Sequence, residues 1–145
     1  MTQSEDDALA RRIAEYLHST EGVAETFGLV MEGAGLGWAR CSMVVKEKMT
    51  NGHKVCHGGV IFSLADNAFA WACNSRNVIA FAQSAAISFI SPAKIGEKLT
   101  ADAREEASEG RTGVYTVTIT AEDGRTVAVF QGLSRTAGGK VVDDQ

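Results

Sequence analysis

The run Asn51-Gly52-His53-Lys54-Val55-Cys56-His57-Gly58-Gly59 leads directly into Val60-Ile61-Phe62-Ser63-Leu64-Ala65-Asp66-Asn67-Ala68. Two glycines open an apolar stretch that reads as a helix, and a single carboxylate lies inside it. The first N–H groups of a helix have no partner within it and can hold a developing oxyanion. A carboxylate among apolar neighbours is costly to ionise unless it has a partner or a chemical task. Side by side, these features point to chemistry at a carbonyl, with an N–H polarising the oxygen and Asp66 activating water or attacking.

Spacing constrains how such a site is built. From Gly58 to Asp66 the helix rises by ~12 Å, and the lean of side chains toward the helix start recovers only part of that. A reacting carbonyl needs its donor and its attacking group within about 3 Å each. Two copies related by a twofold axis meet that demand, with Gly58 from one and Asp66 from the other, so the spacing predicts sites at a dimer seam.

Each neighbouring residue has a plainer reading beside the chemical one. Asp66 is either a base or nucleophile with a raised pKa or a structural acid bonding a nearby hydroxyl such as Ser63. His57 either fixes the loop or meets a substrate carbonyl. Asn51 is a turn residue or an amide donor. Cys56 reads as a small buried residue, since adjacent side chains of an extended segment point apart and would not pair it with His57. His53, Cys56 and His57 superficially resemble metal ligands, but no fourth ligand stands at a suitable spacing, and no metal is expected. Gly58-Gly59 lacks the Lys-Ser/Thr of a phosphate loop, and no GxSxG elbow occurs.

The bulk properties set limits around this site. The chain has 145 residues, 45% hydrophobic and 22% charged, with a formal net charge of −4. That length fits one domain, with a polar, disordered tail expected at 138–145. The acidic balance gives no footprint for nucleic acid. Cys41, Cys56 and Cys73 have no CxxC spacing and fit free thiols in a reducing compartment. The acidic start, Met1 to Asp7, is not a targeting signal, and the apolar stretch Ile79–Ile90 is too short to span a membrane. A cytoplasmic protein is expected.

The elements that must position the site follow from periodicity. Leu9, Ile13, Ala14 and Leu17 predict an amphipathic helix over Asp6–Ser19, capped by Ser4 or Asp6. Gly33, Gly35 and Gly37 mark a loop or bulged strand entry, Trp38–Val45 a strand, and Asn51–Cys56 a loop. Gly58–Ser75 is a second helix, apolar nearly all round and so enclosed by other structure. Strands follow at Ile79–Phe89, Lys98–Ala107, Gly113–Ala121 and Thr126–Arg135, with turns at Ser91-Pro92, Gly110 and Asp123-Gly124. An α+β fold is expected, an antiparallel sheet curled round the enclosed helix. Its outward face predicts an oligomer.

Asn51-Gly52, His57-Gly58-Gly59, Leu64-Ala65-Asp66-Asn67-Ala68 and Phe89-Ile90-Ser91-Pro92-Ala93 together resemble the hotdog-fold acyl-CoA thioesterases, and most of all their phenylacetate-degradation branch. Thr112-Gly113-Val114-Tyr115 and Val127-Ala128-Val129-Phe130 add to the likeness, which covers about residues 20–137. The resemblance implies hydrolysis of a short or aryl acyl-CoA to CoA and a carboxylic acid, with water as co-substrate and no cofactor. It implies Asp66 as base or nucleophile, Gly58 or Gly59 N–H as oxyanion donor, and Asn51 and His57 in the same pocket. It also implies homodimers with a continuous sheet, paired into tetramers. A serine that assists water in some relatives falls near Gln83 and Ser84. Phe62, Phe69, Trp71 and Tyr115 are candidates for the acyl pocket, and Lys94, Lys98, Arg111 and Arg135 for the CoA phosphates. A hotdog dehydratase or hydratase, or a non-catalytic acyl-CoA binding module, are the alternatives.

Overall fold

The computed structural model describes residues 1–143. Its elements in chain order are α1 (Gln3–Thr20), α2 (Gly22–Phe27), β1 (Val30–Gly35), β2 (Trp38–Val44), α3 (Gly58–Cys73), β3 (Ala80–Phe89), β4 (Lys98–Glu109), β5 (Thr112–Ala121) and β6 (Thr126–Thr136). The strands form one antiparallel sheet in the order β1-β2-β4-β5-β6-β3. α3 lies across it, so the expected sheet around a central helix is present.

Small residues explain how the helix gets so close. The inward row of β2 and β4 is Ala39, Cys41, Ala101 and Ala103, all fully buried, and larger groups (Val117, Ile119, Phe130) follow on β5 and β6. Against this surface α3 buries Ile61, Leu64, Ala65, Ala68, Phe69, Trp71 and Ala72. Phe69 sits where β6 carries Gly132, whose missing Cβ would stand 2.7 Å from the ring. Truncating an enclosed aromatic of this kind costs about 3–5 kcal/mol, which makes α3 the keel of the fold.

Several expectations are corrected. α1 starts at Gln3, because Thr2 and Glu5 close a capping box: Glu5 N–H donates to Thr2 Oγ1 at 3.2 Å and Thr2 N–H to Glu5 Oε2 at 2.9 Å. Of the loop or bulged strand entry expected at the glycines, the bulged strand is the one present: Gly33 and Gly35 lie in a sixth strand, β1, bulged between Met31 and Gly33. They are needed there because the Trp38 indole lies over them, at 3.1 Å from a Cβ on Gly33 and closer still at Gly35. A short α2, stopped by Gly28 in the left-handed region (φ 64°), fills the stretch after α1.

The tail is also ordered as far as Asp143. Ile79 N–H donates to Gly139 O at 3.0 Å, and Asn77 Oδ1 accepts from Val141 and Val142 N–H at 3.0 and 2.9 Å. Arg12 donates to Asp143 O, which ties the strap back to α1. The last two tail positions lie outside the described residues.

Candidate active site

The loop before α3 is built to present the start of that helix. Asn51 Oδ1 accepts the N–H groups of His53 and Val55, at 2.9 and 3.4 Å, which closes a tight turn and leaves the Asn51 side-chain nitrogen without a hydrogen bond among the described residues. His57 N–H then donates to Met49 O and Cys56 N–H to Ala93 O, at 2.7 and 2.8 Å. These bonds anchor both sides of the approach to the glycines.

His57 is the N-cap of α3. Its Nδ1 accepts the Gly59 N–H at 2.8 Å. That bond has two consequences. The Gly59 N–H is taken, so Gly59 is not the free donor. With Nδ1 accepting, Nε2 is the ring nitrogen left to donate. The Gly58 N–H makes no hydrogen bond among the described residues. It stands at the positive end of a 16-residue helix, where partial charge and a free N–H both favour an anion.

Beside Gly58 opens a cleft of about 360 Å³ lined by Asn51, Val55, Ile61, Phe89, Ile90 and Pro92, among others. A Cβ on Gly58 would stand 2.9 Å from the Phe89 ring. Glycine therefore lets an aromatic lie directly against the helix start. Cys56 also borders this cleft, but burial pushes its thiol up to about 11, which leaves it protonated and inert at neutral pH.

Asp66 lies two turns on, in the stripe Gly59-Ser63-Asp66-Ala70, the one face of α3 that the chain leaves partly uncovered. No hydrogen bond reaches its carboxylate among the described residues: Ser63 Oγ donates to Gly59 O at 2.9 Å instead. Burial holds the Asp66 pKa above the ordinary carboxylate range. An acid that is desolvated yet unpaired is the state expected of a base or nucleophile before its partner arrives.

The other candidates separate. Phe69 and Tyr115 are 1% and 3% exposed and meet edge to face at 5.6 Å, with Phe130 beside them. Together with Trp71 they are core, not pocket. Phe62 is half-buried, its ring on Phe130 at 5.2 Å. Gln83 is the extra residue of a bulge in β3, between the Ala82 and Ser84 registers. Neither Gln83 nor Ser84 enters the cleft at Gly58. Gln83 borders a shallow cleft of about 280 Å³ with Arg111 and Arg135, and Ser84 lies in a separate hollow with Ala86 and Leu133. Arg111 holds Thr136 O through Nε and Nη2 at 3.2 and 2.9 Å, and Lys98 pairs with Glu32 at 3.1 Å. No group of three His, Cys, Asp or Glu side chains among the described residues is placed to hold a metal ion.

The sequence model described as "Thioesterase superfamily" matches residues 53–128, the stretch from the cap loop through β6's first residues. Over 131 residues the chain is 38% identical to the acyl-coenzyme A thioesterase PaaI of Escherichia coli, covering 90% of this chain and 94% of that protein. The chain belongs to the thioesterase superfamily. As a member of that superfamily it superposes on the structure of the E. coli PaaI protein from the phenylacetic acid degradation operon with a TM-score of 0.91, over 92% of this chain and 97% of that one. A second match is smu.793 of Streptococcus mutans bound to acetyl CoA, at 25% identity and a TM-score of 0.75, over 77% of this chain and 90% of that one. The superfamily's hotdog fold is thus the one observed here, and the chain is an enzyme of the thioesterase class.

Proposed function

We propose that this thioesterase hydrolyses the thioester of an acyl-CoA across a twofold seam. Gly58 N–H of one protomer holds the carbonyl oxygen and Asp66 of the partner subunit delivers or activates the attacking oxygen. The observation that carries this reading is the division of labour at the start of α3. The Gly59 N–H is consumed by His57, whereas the Gly58 N–H is free beside a cleft. On the same helix stands an acid with no partner of its own, too far along to serve that N–H within one chain.

Support for the seam comes from β3. It is an edge strand, paired only with β6, and nearly every residue from Phe81 to Phe89 is exposed, with Phe81 at 64% and Phe89 at 53%. A long apolar edge of this kind calls for a partner strand. Pairing β3 with its symmetry mate continues the sheet and brings the uncovered α3 stripes together. The outer face of β5 and β6, with Val114 and Val129 half-exposed, suits a second pairing of dimers. The relationship to PaaI and to a neighbour bound to acetyl CoA favours CoA esters, aryl or short. The arginine cleft at Arg111 and Arg135 suits the CoA phosphates, Asn51 and His57 Nε2–H suit the thioester, and the half-buried Phe62 suits the acyl group. The reaction needs water as co-substrate and no metal or prosthetic group.

In the attack step the thioester carbon gains an oxygen and its carbonyl oxygen becomes an oxyanion against Gly58 N–H. Collapse expels the CoA thiolate. Where Asp66 activates water, the proton it took from that water passes to the thiolate. Where Asp66 attacks directly, the thiolate takes a proton from a water molecule and the hydroxide left behind cleaves the acyl–Asp66 anhydride, which frees the acid and restores the carboxylate. Aryl- and alkyl-CoA esters incubated with a thiol-trapping reagent test the reading. Thiol release by the wild type, reduced at least ~10²-fold in Asp66→Asn, supports it. In the wild type kcat/KM falls on the acid side as Asp66 takes up a proton, and that limb lies above the ordinary aspartate range because burial raises its pKa. Undiminished turnover by Asp66→Asn would sink the assignment.

A further inference from the structure

The Ser91-Pro92 turn follows β3 and borders the cleft beside Gly58, yet the reaction gives it no role. An arginine from the far hairpin holds it. Arg125 stands one residue before β6, and its own N–H donates to Asp123 Oδ1 at 2.9 Å. Its Nε donates to Ser91 Oγ at 3.1 Å and its Nη2 to Pro92 O at 3.2 Å. Nη2 also meets Glu97 Oε1 and Oε2 at 3.0 and 2.8 Å, and Nη1 meets Asp123 Oδ2 at 2.8 Å. One guanidinium thereby joins the β5–β6 hairpin, the turn after β3 and the entry to β4.

These bonds enclose Ala93, which is fully buried. Before it, Pro92 has no N–H, so the carbonyl that Arg125 takes is its one backbone polar group. After it, Lys94 N–H donates to Glu97 Oε1 at 2.8 Å, the same oxygen that accepts Arg125 Nη2. Between them the Ala93 carbonyl accepts Cys56 N–H at 2.8 Å, two residues before Gly58. The bond from His57 N–H to Met49 O is the other anchor of that approach. Arg125 therefore sets one of the two fixed points from which the helix start is presented. Binding a CoA phosphate is the rival use of an arginine here. Two carboxylates already face Arg125, and an added phosphate would have to displace them or bear their repulsion.

We propose that Arg125 is a positioning residue for the oxyanion donor: through Pro92, Glu97 and the Ala93 carbonyl it fixes Cys56, and with it the place of the Gly58 N–H. This rests on the assignment of Gly58 N–H as that donor. Arg125 itself touches neither the substrate nor the reacting atoms. A donor moved by 1 Å can lose about 10²-fold in rate, and a smaller shift correspondingly less. The loss falls on the transition state, where the oxygen is charged, so kcat drops while KM barely moves.

Arg125→Lys in the full-length protein tests this. It keeps a positive charge beside Glu97 and Asp123 but ends the fork, because one ammonium cannot span both carboxylates, Ser91 Oγ and Pro92 O. It should melt near the wild type, lose about tenfold in kcat for an acyl-CoA and hold KM within about threefold. Arg125→Met, with no donor at all, should lose more. The deciding measurement repeats Arg125→Lys in two backgrounds. In Gly58→Ala, which keeps the N–H, the loss should again be about tenfold; in Gly58→Pro, which has no N–H to position, it should shrink below about twofold. Equal losses in both backgrounds, or wild-type kcat in both Arg125 variants, overturn the proposal. Raised KM and weaker inhibition by free CoA at undiminished kcat would make Arg125 a phosphate ligand instead. A wild type that hydrolyses no thioester, or a Gly58→Pro enzyme as fast as Gly58→Ala, removes the donor assignment and this role with it. A slow Gly58→Pro enzyme in which Arg125→Lys costs its full tenfold removes the positioning role alone.

Discussion

Replacing Gly58 with proline removes one N–H from the molecule and little else. Proline has no backbone N–H, and N1 of a helix is the position where it is best tolerated. Gly58 occupies N1, and its N–H has no hydrogen bond to lose. The residue before a proline must be extended, and His57 already is, at φ −61° and ψ 136°. The steric cost is a Cβ 2.9 Å from the end of the Phe89 ring, which is 53% exposed in the single chain. Gly58→Ala carries the same Cβ and keeps the N–H, so the ratio of the two variants isolates the donor. Loss of one oxyanion donor lowers kcat by about 10²–10³, or about 2.7–4 kcal/mol in the transition state. Restricting the unfolded chain works in proline's favour by about 0.4–1 kcal/mol, so the melting temperature should match or exceed that of Gly58→Ala. The assay is thiol release from an acyl-CoA under saturating substrate, with a thermal melt alongside. A proline variant that turns over within about threefold of the alanine variant would show that the Gly58 N–H holds no oxyanion.

Two further outcomes follow from the packing. Gly132→Ala places a methyl 2.7 Å from the Phe69 ring, which is enclosed and cannot swing away. Overpacking of that kind costs about 1–3 kcal/mol and should lower the melting temperature by several degrees, whereas an unchanged melt would mean that Phe69 is not held as described. Phe81→Lys puts a charge on the exposed β3 edge, and by light scattering it should shift the protein toward monomer and lower activity in step. A monomeric variant with full activity would contradict a shared site.

The sequence displays some of this architecture openly and hides the rest for identifiable reasons. α3 and β2 to β6 stand out because their burial is written in local periodicity, with alternate residues on β5 and an apolar run on α3. β1 is hidden because its glycines serve a contact with Trp38 on the neighbouring strand, and residue pattern records no such pairing. The ordered tail is hidden in the same way: polar and glycine-rich, it is held by Asn77 from across the fold. At the site, the types and spacing of Gly58 and Asp66 indicated carbonyl chemistry. Which glycine offers a free N–H depended on the His57 rotamer, a detail of three dimensions. Phe69 and Tyr115 had the composition of a pocket, and burial assigns them to the core.

Mixed dimers test the central claim most directly, with chains carrying Asp66→Asn joined to chains carrying Gly58→Pro and purified through two different tags. If each site draws its N–H from one protomer and its acid from the other, the mixed dimer holds one undamaged site and recovers about half the wild-type turnover, while both parent homodimers stay inactive. If Gly58 and Asp66 of the same chain work together, every site in the mixed dimer carries a lesion. Turnover no higher than that of the parents would then contradict the account.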